Sequence, residues 1–256
     1  MNQKAQPFLP TPISGRVFTG AQRVRLGDAA PDGRLRFDGL ARYLQDVAED
    51  DAADANWPSS ISWVMRRIVV TVRQFPVLGE ALRLDTFCSA TGPRWAERTT
   101  TITGAGGGSV QAIATWVAIG RSTGRPVDVG ELFDQVYGPS AGARRASVRL
   151  YLPAPSHDVV AKACPWPLRA TDFDVLGHVN NAISWAAIED GLALADWPPA
   201  NAEVEYNAEI TPGSHPSVGT SMSSGSMDLW ILDGERVLTS ARLRRLEIDS
   251  PGGAAE

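Results

Sequence analysis

The stretch "TDFDVLGHVNNAISW" (171–185) sets two aspartates, a glycine, a histidine and two asparagines directly ahead of an apolar, alanine-rich run. An acidic and amide-rich turn followed by Ile183 to Ile188, with apolar residues on nearly every face, reads as a strand-to-helix junction whose helix is buried on more than one side. The helix is expected to start near Asn180, with Asn180 or Asn181 as a simple cap and Asp172 or Asp174 as an Asx-turn residue among the bland readings.

Working outward, the chain contains a second copy of that junction. Setting "GDAAPDGRLRFDGLARYLQDVAEDDA" (27–52) above residues 171–195 pairs Asp28 with Asp172 and Gly33 with Gly177. In the first copy Leu40, Tyr43, Leu44 and Val47 fall at helical spacing, and Asp38 is the expected N-cap. Each junction is followed by segments rich in β-branched and aromatic residues. These are 62–72, 81–90, 96–103 and 110–119 in the first half, and 203–211, 217–224, 227–232 and 236–248 in the second. Asp233-Gly234 reads as a type I′ hairpin turn, and "GPSAGARRAS" (138–147) as a linker. One helix and a run of antiparallel strands, twice over, defines an α+β fold with an N-terminal unit over 1–140 and a C-terminal unit over 146–256. A long helix inside a curved antiparallel sheet is the hot-dog arrangement, and two in tandem make a double hot-dog.

The bulk properties narrow the function. The 43% hydrophobic and 21% charged composition is that of an ordinary globular chain. A net charge of −5 argues against nucleic acid as a partner. The N-terminus has no apolar signal region, and no segment reaches the roughly eighteen consecutive apolar residues of a membrane span. Two cysteines, Cys88 and Cys164, are too few for a disulfide framework and are expected as small buried hydrophobes. A cytoplasmic location follows as the expectation.

The segment Asp172 to Asn181, "DFDVLGHVNN", resembles the signature of the acyl-[acyl carrier protein] thioesterases, tandem hot-dog proteins of plants and bacteria. Residues 40–52 and 63–80 are similar to the family's first-helix and following strand segments. The resemblance implies hydrolysis of fatty acyl thioesters, acyl carrier protein or coenzyme A as the thiol carrier, and no cofactor or metal. It puts the catalytic aspartate on Asp174, the histidine on His178 and, through "YNAE", a catalytic glutamate on Glu209. The family's asparagine falls on Leu176, and the cysteine that follows the glutamate in plant members falls on Ile210, so neither side chain can serve here.

Thioester hydrolysis needs a base for water, donors for the developing oxyanion and a dry acyl channel. Asp174 or Glu209 can be the base, and His178 can orient a carboxylate or protonate the leaving thiolate. The free N–H groups of the second helix can polarise the carbonyl, which makes Gly177, Val179, Asn180 and Asn181 the expected substrate contacts. Strand alternation puts Val204, Tyr206, Ala208 and Ile210 on one face, and Glu205, Asn207 and Glu209 on the other, where a solvated polar face is the alternative. In the first half Ala30 and Arg34 stand where Asp174 and His178 stand in the second, and Phe75 near the position of Glu209. That half reads as a non-catalytic acyl-pocket module, with Trp63 and Met65 as contributors or as plain core.

Arg144, Arg145 and Arg149, with Arg242, Arg244 and Arg245, are candidate contacts for an acidic carrier protein, and a monomer or homodimer is expected. Three motifs are set aside. "GRSTG" (120–124) is followed by "RPVDVG" where a nucleophile elbow needs a helix, and reads as a turn rather than an elbow. "GAGGGS" (104–109) lies between strands, and His157, His178 and His215 lack metal-ligand spacing. A hot-dog enoyl-thioester hydratase and a non-catalytic acyl-binding module are the rival classes. The hydratase motif resembles D-x-N-P-x-H, whose proline and spacing are absent here.

Overall fold

The structure is a computed structural model and describes residues 8–193 and 199–245. In the first half, strand β1 (Phe18–Arg23) leads through a short 3-10 turn at Leu26–Asp28 to helix α1 (Phe37–Asp54). Strands β2 (Ile61–Gln74), β3 (Ala81–Thr91), β4 (Trp95–Gly104), β5 (Ser109–Gly120) and β6 (Arg125–Pro126) follow, then helix α2 (Gly130–Ala141). The second half has helix α3 (His157–Ala161), strand β7 (Cys164–Pro165), a 3-10 turn at Ala170–Asp172 and helix α4 (Asn181–Leu192). It closes with β8 (Asn201–Tyr206), β9 (Ser217–Ser223), β10 (Ser226–Asp233) and β11 (Arg236–Arg244).

The strands form one antiparallel sheet in the order β1-β3-β4-β5-β2-β8-β11-β10-β9-β7, with β6 on β5. The two halves join where β2 pairs with β8, Ile68 against Val204 and Val70 against Ala202. Helices α1 and α4 pack on each other and share one apolar core with the inward residues of both halves. Leu40, Tyr43, Leu44 and Val47, the stripe expected on α1, are all buried in it. On α4 burial covers Ala182, Ser184, Trp185, Ala187, Ile188, Gly191 and Leu192, more than one stripe wide. This is the double hot-dog architecture.

The duplication holds in backbone detail. Ala30 N–H donates to Arg34 O at 2.8 Å and Asp174 N–H to His178 O at 3.0 Å. Gly33 and Gly177 both take the left-handed conformation, at φ +88° and +79°, that closes a three-residue hairpin loop. Arg36 N–H reaches Asp28 O, and Asn180 N–H reaches Asp172 O. Leu35 N–H bonds Pro76 O as Val179 N–H bonds Ile210 O, which sets Phe75 level with Glu209.

Several expectations need correction. Helix α1 begins one residue after Arg36, so Asp38 is not its cap. Asp38 sits buried in the first turn, its carboxylate between the guanidinia of Arg36 (2.8 Å) and Arg42 (3.0 Å). Residues 138–141 belong to α2 rather than to a linker. That helix holds Pro139 and survives because Phe133, Tyr137, Ser140 and Ala141 bury one face against β3 and a second apolar cluster. Strand β8 stops at Tyr206, so Glu209 lies in the loop beyond it. Glu205 is not solvated: its carboxylate accepts the N–H groups of Tyr151 (2.5 Å) and Leu152 (3.1 Å), as the segment joining the halves crosses the sheet. Asp233 pairs with Arg236, so the turn centres on Gly234-Glu235 with Gly234 alone at positive φ, a type II′ rather than a type I′ pattern. Cys164 is exposed; Cys88 is buried, and burial pushes its thiol up to about 12. Residues 246–248 of the last expected strand lie outside the described residues.

The glycine-rich loop at 104–109 is the β4–β5 hairpin turn, and it does bind an anion, though an internal one. Gly106 and Gly108 N–H donate to Glu80 Oε1 at 2.7 and 2.9 Å, and Val77 N–H donates to Oε2 at 2.9 Å. Side chains would not fit: a Cβ on Gly104 would fall 1.9 Å from Glu80 Oε1. "GRSTG" is the β5–β6 turn, with Gly124 N–H on Gly120 O at 2.8 Å and no helix after Ser122.

Candidate active site

The hairpin that delivers the polar residues is short and well tied. Phe173 bridges Val179 across it, and Asp174 Oδ1 accepts Leu176 N–H at 2.9 Å, an Asx-turn that folds the tip back on itself. Leu176, exposed at 64%, therefore contributes its backbone where the resemblance expects an asparagine side chain. Asp174 Oδ2 has a long contact of 3.5 Å with Asn180 Nδ2. Asn180 is the N-cap of α4, its Oδ1 accepting Ala182 N–H at 2.9 Å. Asn180 thus caps the helix and touches the aspartate at once.

His178 and Glu209 form a second pair. The backbone bond from Val179 to Ile210 lays the loop after β8 along the hairpin, and His178 Nε2 stands 3.3 Å from Glu209 Oε2. Both side chains are substantially solvent-exposed, at 40% and 61%. Gly177 serves the turn, and Val179 is buried in the core.

Behind the hairpin lies a cavity of about 570 Å³, within the size range of small-ligand sites. Asp174, Val175, Leu176, Asn180 and Asn181 border it from the second half; His178 and Glu209 do not. Its other walls come from the first half. Gln45, Ala48 and Ala52 of α1 contribute, with Trp63 of β2, Ala96 and Arg98 of β4, Trp116 of β5, and Phe133 and Tyr137 of α2. Trp57, Trp63, Phe133 and Tyr137 form one aromatic cluster with ring centroids 5.0–6.2 Å apart. Arg98 Nη1 lies 2.7 Å from Asp51 Oδ2, so its charge is already countered. Met65 is core and borders only a much smaller void. Gln45, Trp57 and α2 border the cavity without any local sequence signal that marks them.

The start of the helix rests on a buried, hydrogen-bonded floor. Trp185 Nε1 donates to the Tyr206 hydroxyl at 3.0 Å, and that hydroxyl donates to Asn181 O at 3.4 Å. Full burial raises the Tyr206 phenol well above its ordinary value, which keeps it a neutral donor.

In the first half the equivalent place is filled. Arg34, in the position of His178, donates to Glu189 of α4 at 3.0 and 2.7 Å and lies over the Phe75 ring, 5.3 Å from its centroid. Glu189 Oε1 also accepts the first helical N–H of α1, Phe37 N, at 2.7 Å. No carboxylate–histidine pair is formed at that hairpin.

Of the expected carrier contacts, none of Arg144, Arg145 and Arg149 borders the cavity. Arg144 Nε donates to Ser89 O at 2.5 Å, Arg145 bridges Thr91, and the Arg149 guanidinium lies 5.6 Å from the Tyr151 ring centroid. All three are exposed. Arg242 is paired with Asp228 at 2.6 Å.

A doubled helix-in-sheet scaffold, with one polar helix start opening on an aromatic-walled cavity, defines a hot-dog thioester hydrolase. The chain belongs to the acyl-ACP thioesterase family: residues 15–137 match the acyl-ACP thioesterase N-terminal domain and 157–231 the C-terminal domain. Its activity is hydrolysis of fatty acyl thioesters. Uncharacterized protein Rv2001 of Mycobacterium tuberculosis is 28% identical over 238 residues, covering 92% of this chain and 94% of that one. Among solved structures, a putative oleoyl thioesterase from Lactobacillus plantarum superposes with TM-score 0.78 at 17% identity, over 92% of this chain and 99% of the other. The 12:0-ACP thioesterase from Umbellularia californica does so with TM-score 0.76 at 19% identity, over 91% and 98%. At such identities these two likenesses speak for the fold.

Proposed function

We propose that the enzyme hydrolyses fatty acyl groups from acyl carrier protein in the cytoplasm, with Asp174 as general base. The observation that carries this reading is the cavity itself: Asp174 and Asn181 face it from the second half, and the aromatic cluster faces it from the first. The acyl chain lies among Trp57, Trp63, Phe133 and Tyr137, the first half acting as an acyl pocket over residues 1–140. The second half, 146–256, holds the reacting atoms.

The thioester carbonyl rests at the start of α4 beside Asn181, whose N–H meets no protein acceptor among the described residues and lies at the positive end of the helix dipole. Water attacks the carbonyl carbon and passes a proton to the Asp174 carboxylate, while the carbonyl π pair moves to oxygen. Collapse of that oxyanion re-forms the carbonyl, breaks the C–S bond and expels the thiolate. The proton then passes from Asp174 to sulfur, giving a fatty acid and the carrier thiol. His178, held by Glu209 beside solvent, assists this proton exchange without bordering the acyl cavity. Leu176 N–H fixes Asp174 Oδ1 and leaves Oδ2 for water.

A carrier protein is favoured over coenzyme A because the family's domain models carry that substrate in their description and because Arg145 and Arg149 are exposed. The test is thiol release from a panel of acyl carrier protein and acyl-coenzyme A esters. Higher kcat/KM on the carrier esters supports the reading, and thiol release from neither class contradicts it. Hydration of a trans-2-enoyl thioester without thiol release would identify the hydratase instead.

A further inference from the structure

We infer that Gln45, on the helix of the first half, is a catalytic residue: its side-chain amide donates to the thioester carbonyl oxygen together with Asn181 N–H. This rests on the hydrolytic reading above and adds a group that the second half cannot supply.

The argument comes from the internal symmetry. The alignment that pairs Asp28 with Asp172 also pairs Phe37 with Asn181 and Gln45 with Glu189. Phe37 and Asn181 are the first residues of α1 and α4, and the two helices pack on each other. Across that contact the Glu189 carboxylate accepts Phe37 N–H at 2.7 Å and ties itself to Arg34. The start of α1 is thereby closed by an acceptor. By the same symmetry the place of Glu189 opposite Phe37 N–H falls to Gln45 opposite Asn181 N–H, and Gln45, Asn181 and Asp174 all border the cavity.

The chemistry of the two ends differs by one group. A carboxylate only accepts, so Glu189 saturates the N–H it faces and would repel a developing oxyanion. A carboxamide carries two N–H donors. Among the described residues, Asn181 N–H meets no protein acceptor and the Gln45 side chain makes no hydrogen bond. An unpaired N–H and an unpaired amide on two residues that border the same cavity supply two donors for an oxygen that gains charge in the transition state.

The test uses the full-length enzyme and the variants Gln45→Ala and Gln45→Glu. Removing one oxyanion donor lowers kcat by about 10²–10³-fold, with KM little changed. In Gln45→Glu the new carboxylate takes Asn181 N–H, as Glu189 takes Phe37 N–H, and kcat falls at least as far. A second readout does not depend on turnover. Binding is compared for an acyl-coenzyme A ketone analogue, in which methylene replaces sulfur, and the alkyl thioether that lacks the carbonyl. Wild type prefers the ketone, and Gln45→Ala loses that preference. A Gln45→Ala enzyme with kcat within about threefold of wild type, or with an undiminished ketone preference, overturns the proposal. If wild type releases no thiol, the hydrolytic reading fails by itself, while the ketone preference still reports on the two donors.

Discussion

Asp174 and Asn180 meet at 3.5 Å through Oδ2 and Nδ2 at the edge of the cavity, while the other end of the Asn180 amide caps α4. The Asp174 carboxylate and the helix start are therefore one unit, and the cap fixes how far that carboxylate, the base in the proposed mechanism, stands from Asn181 N–H. His178 and Glu209 are paired separately, at 3.3 Å, outside the cavity wall. Of the two carboxylates only Asp174 borders the cavity, which is why the proposed mechanism gives it the role of base.

Closure of the first-half site predicts a stability role for Arg34. Its partner Glu189 is 10% exposed, so Arg34→Ala strands a carboxylate and should cost about 3–5 kcal/mol. Replacing Glu189 as well should recover most of that loss, since no charge is left unpaired. Denaturant unfolding of the two single variants and the double variant checks this, and additive single losses would contradict it.

Glu80 predicts an acid-sensitive component of stability. Burial opposes its ionisation, but the N–H groups of Gly108, Val77 and Gly106 outweigh burial and hold its carboxyl below the usual value. A carboxyl lowered by folding contributes above its unfolded pKa of about 4.3 and loses that contribution as pH falls through the folded value. Glu80→Gln should therefore be less stable than wild type by about 2 kcal/mol at pH 7, and the gap should narrow below about pH 4.3. Midpoints of unfolding measured from pH 7 down to acid give the answer; a constant gap would contradict it.

The carrier surface predicts a selective effect on KM. Arg144 is held by Ser89 O, so the informative variant is Arg145→Glu with Arg149→Glu. Charge reversal on a docking rim slows encounter with an acidic partner. KM for acyl carrier protein esters should rise about tenfold while acyl-coenzyme A is nearly unaffected. Equal changes with both substrates would reject this surface.

Much of the architecture was legible because the duplicated segments carry strong local signals. Gly33 and Gly177 mark the same left-handed turn, and the α1 stripe and eight strands follow simple periodicities. What escaped depends on tertiary contact. Pro139 and its flanking glycines make α2 look like a linker, and only burial of Phe133 and Tyr137 sustains it. Alternation assigned Glu205 to a polar face, but alternation cannot foresee the connecting segment that crosses it and hands it two N–H donors. The motif that placed Asp174, His178 and Glu209 lies in one half, whereas most of the cavity wall belongs to the other, so Gln45 and Trp57 carried no local mark.

The most direct measurement is single-turnover thiol release by Asp174→Asn beside wild type on the preferred acyl thioester. Asparagine keeps an oxygen for Leu176 N–H but cannot accept a proton from water, so the chemical step should slow by about 10²–10⁴-fold with folding unchanged. A rate within a few-fold of wild type would contradict Asp174 as the base.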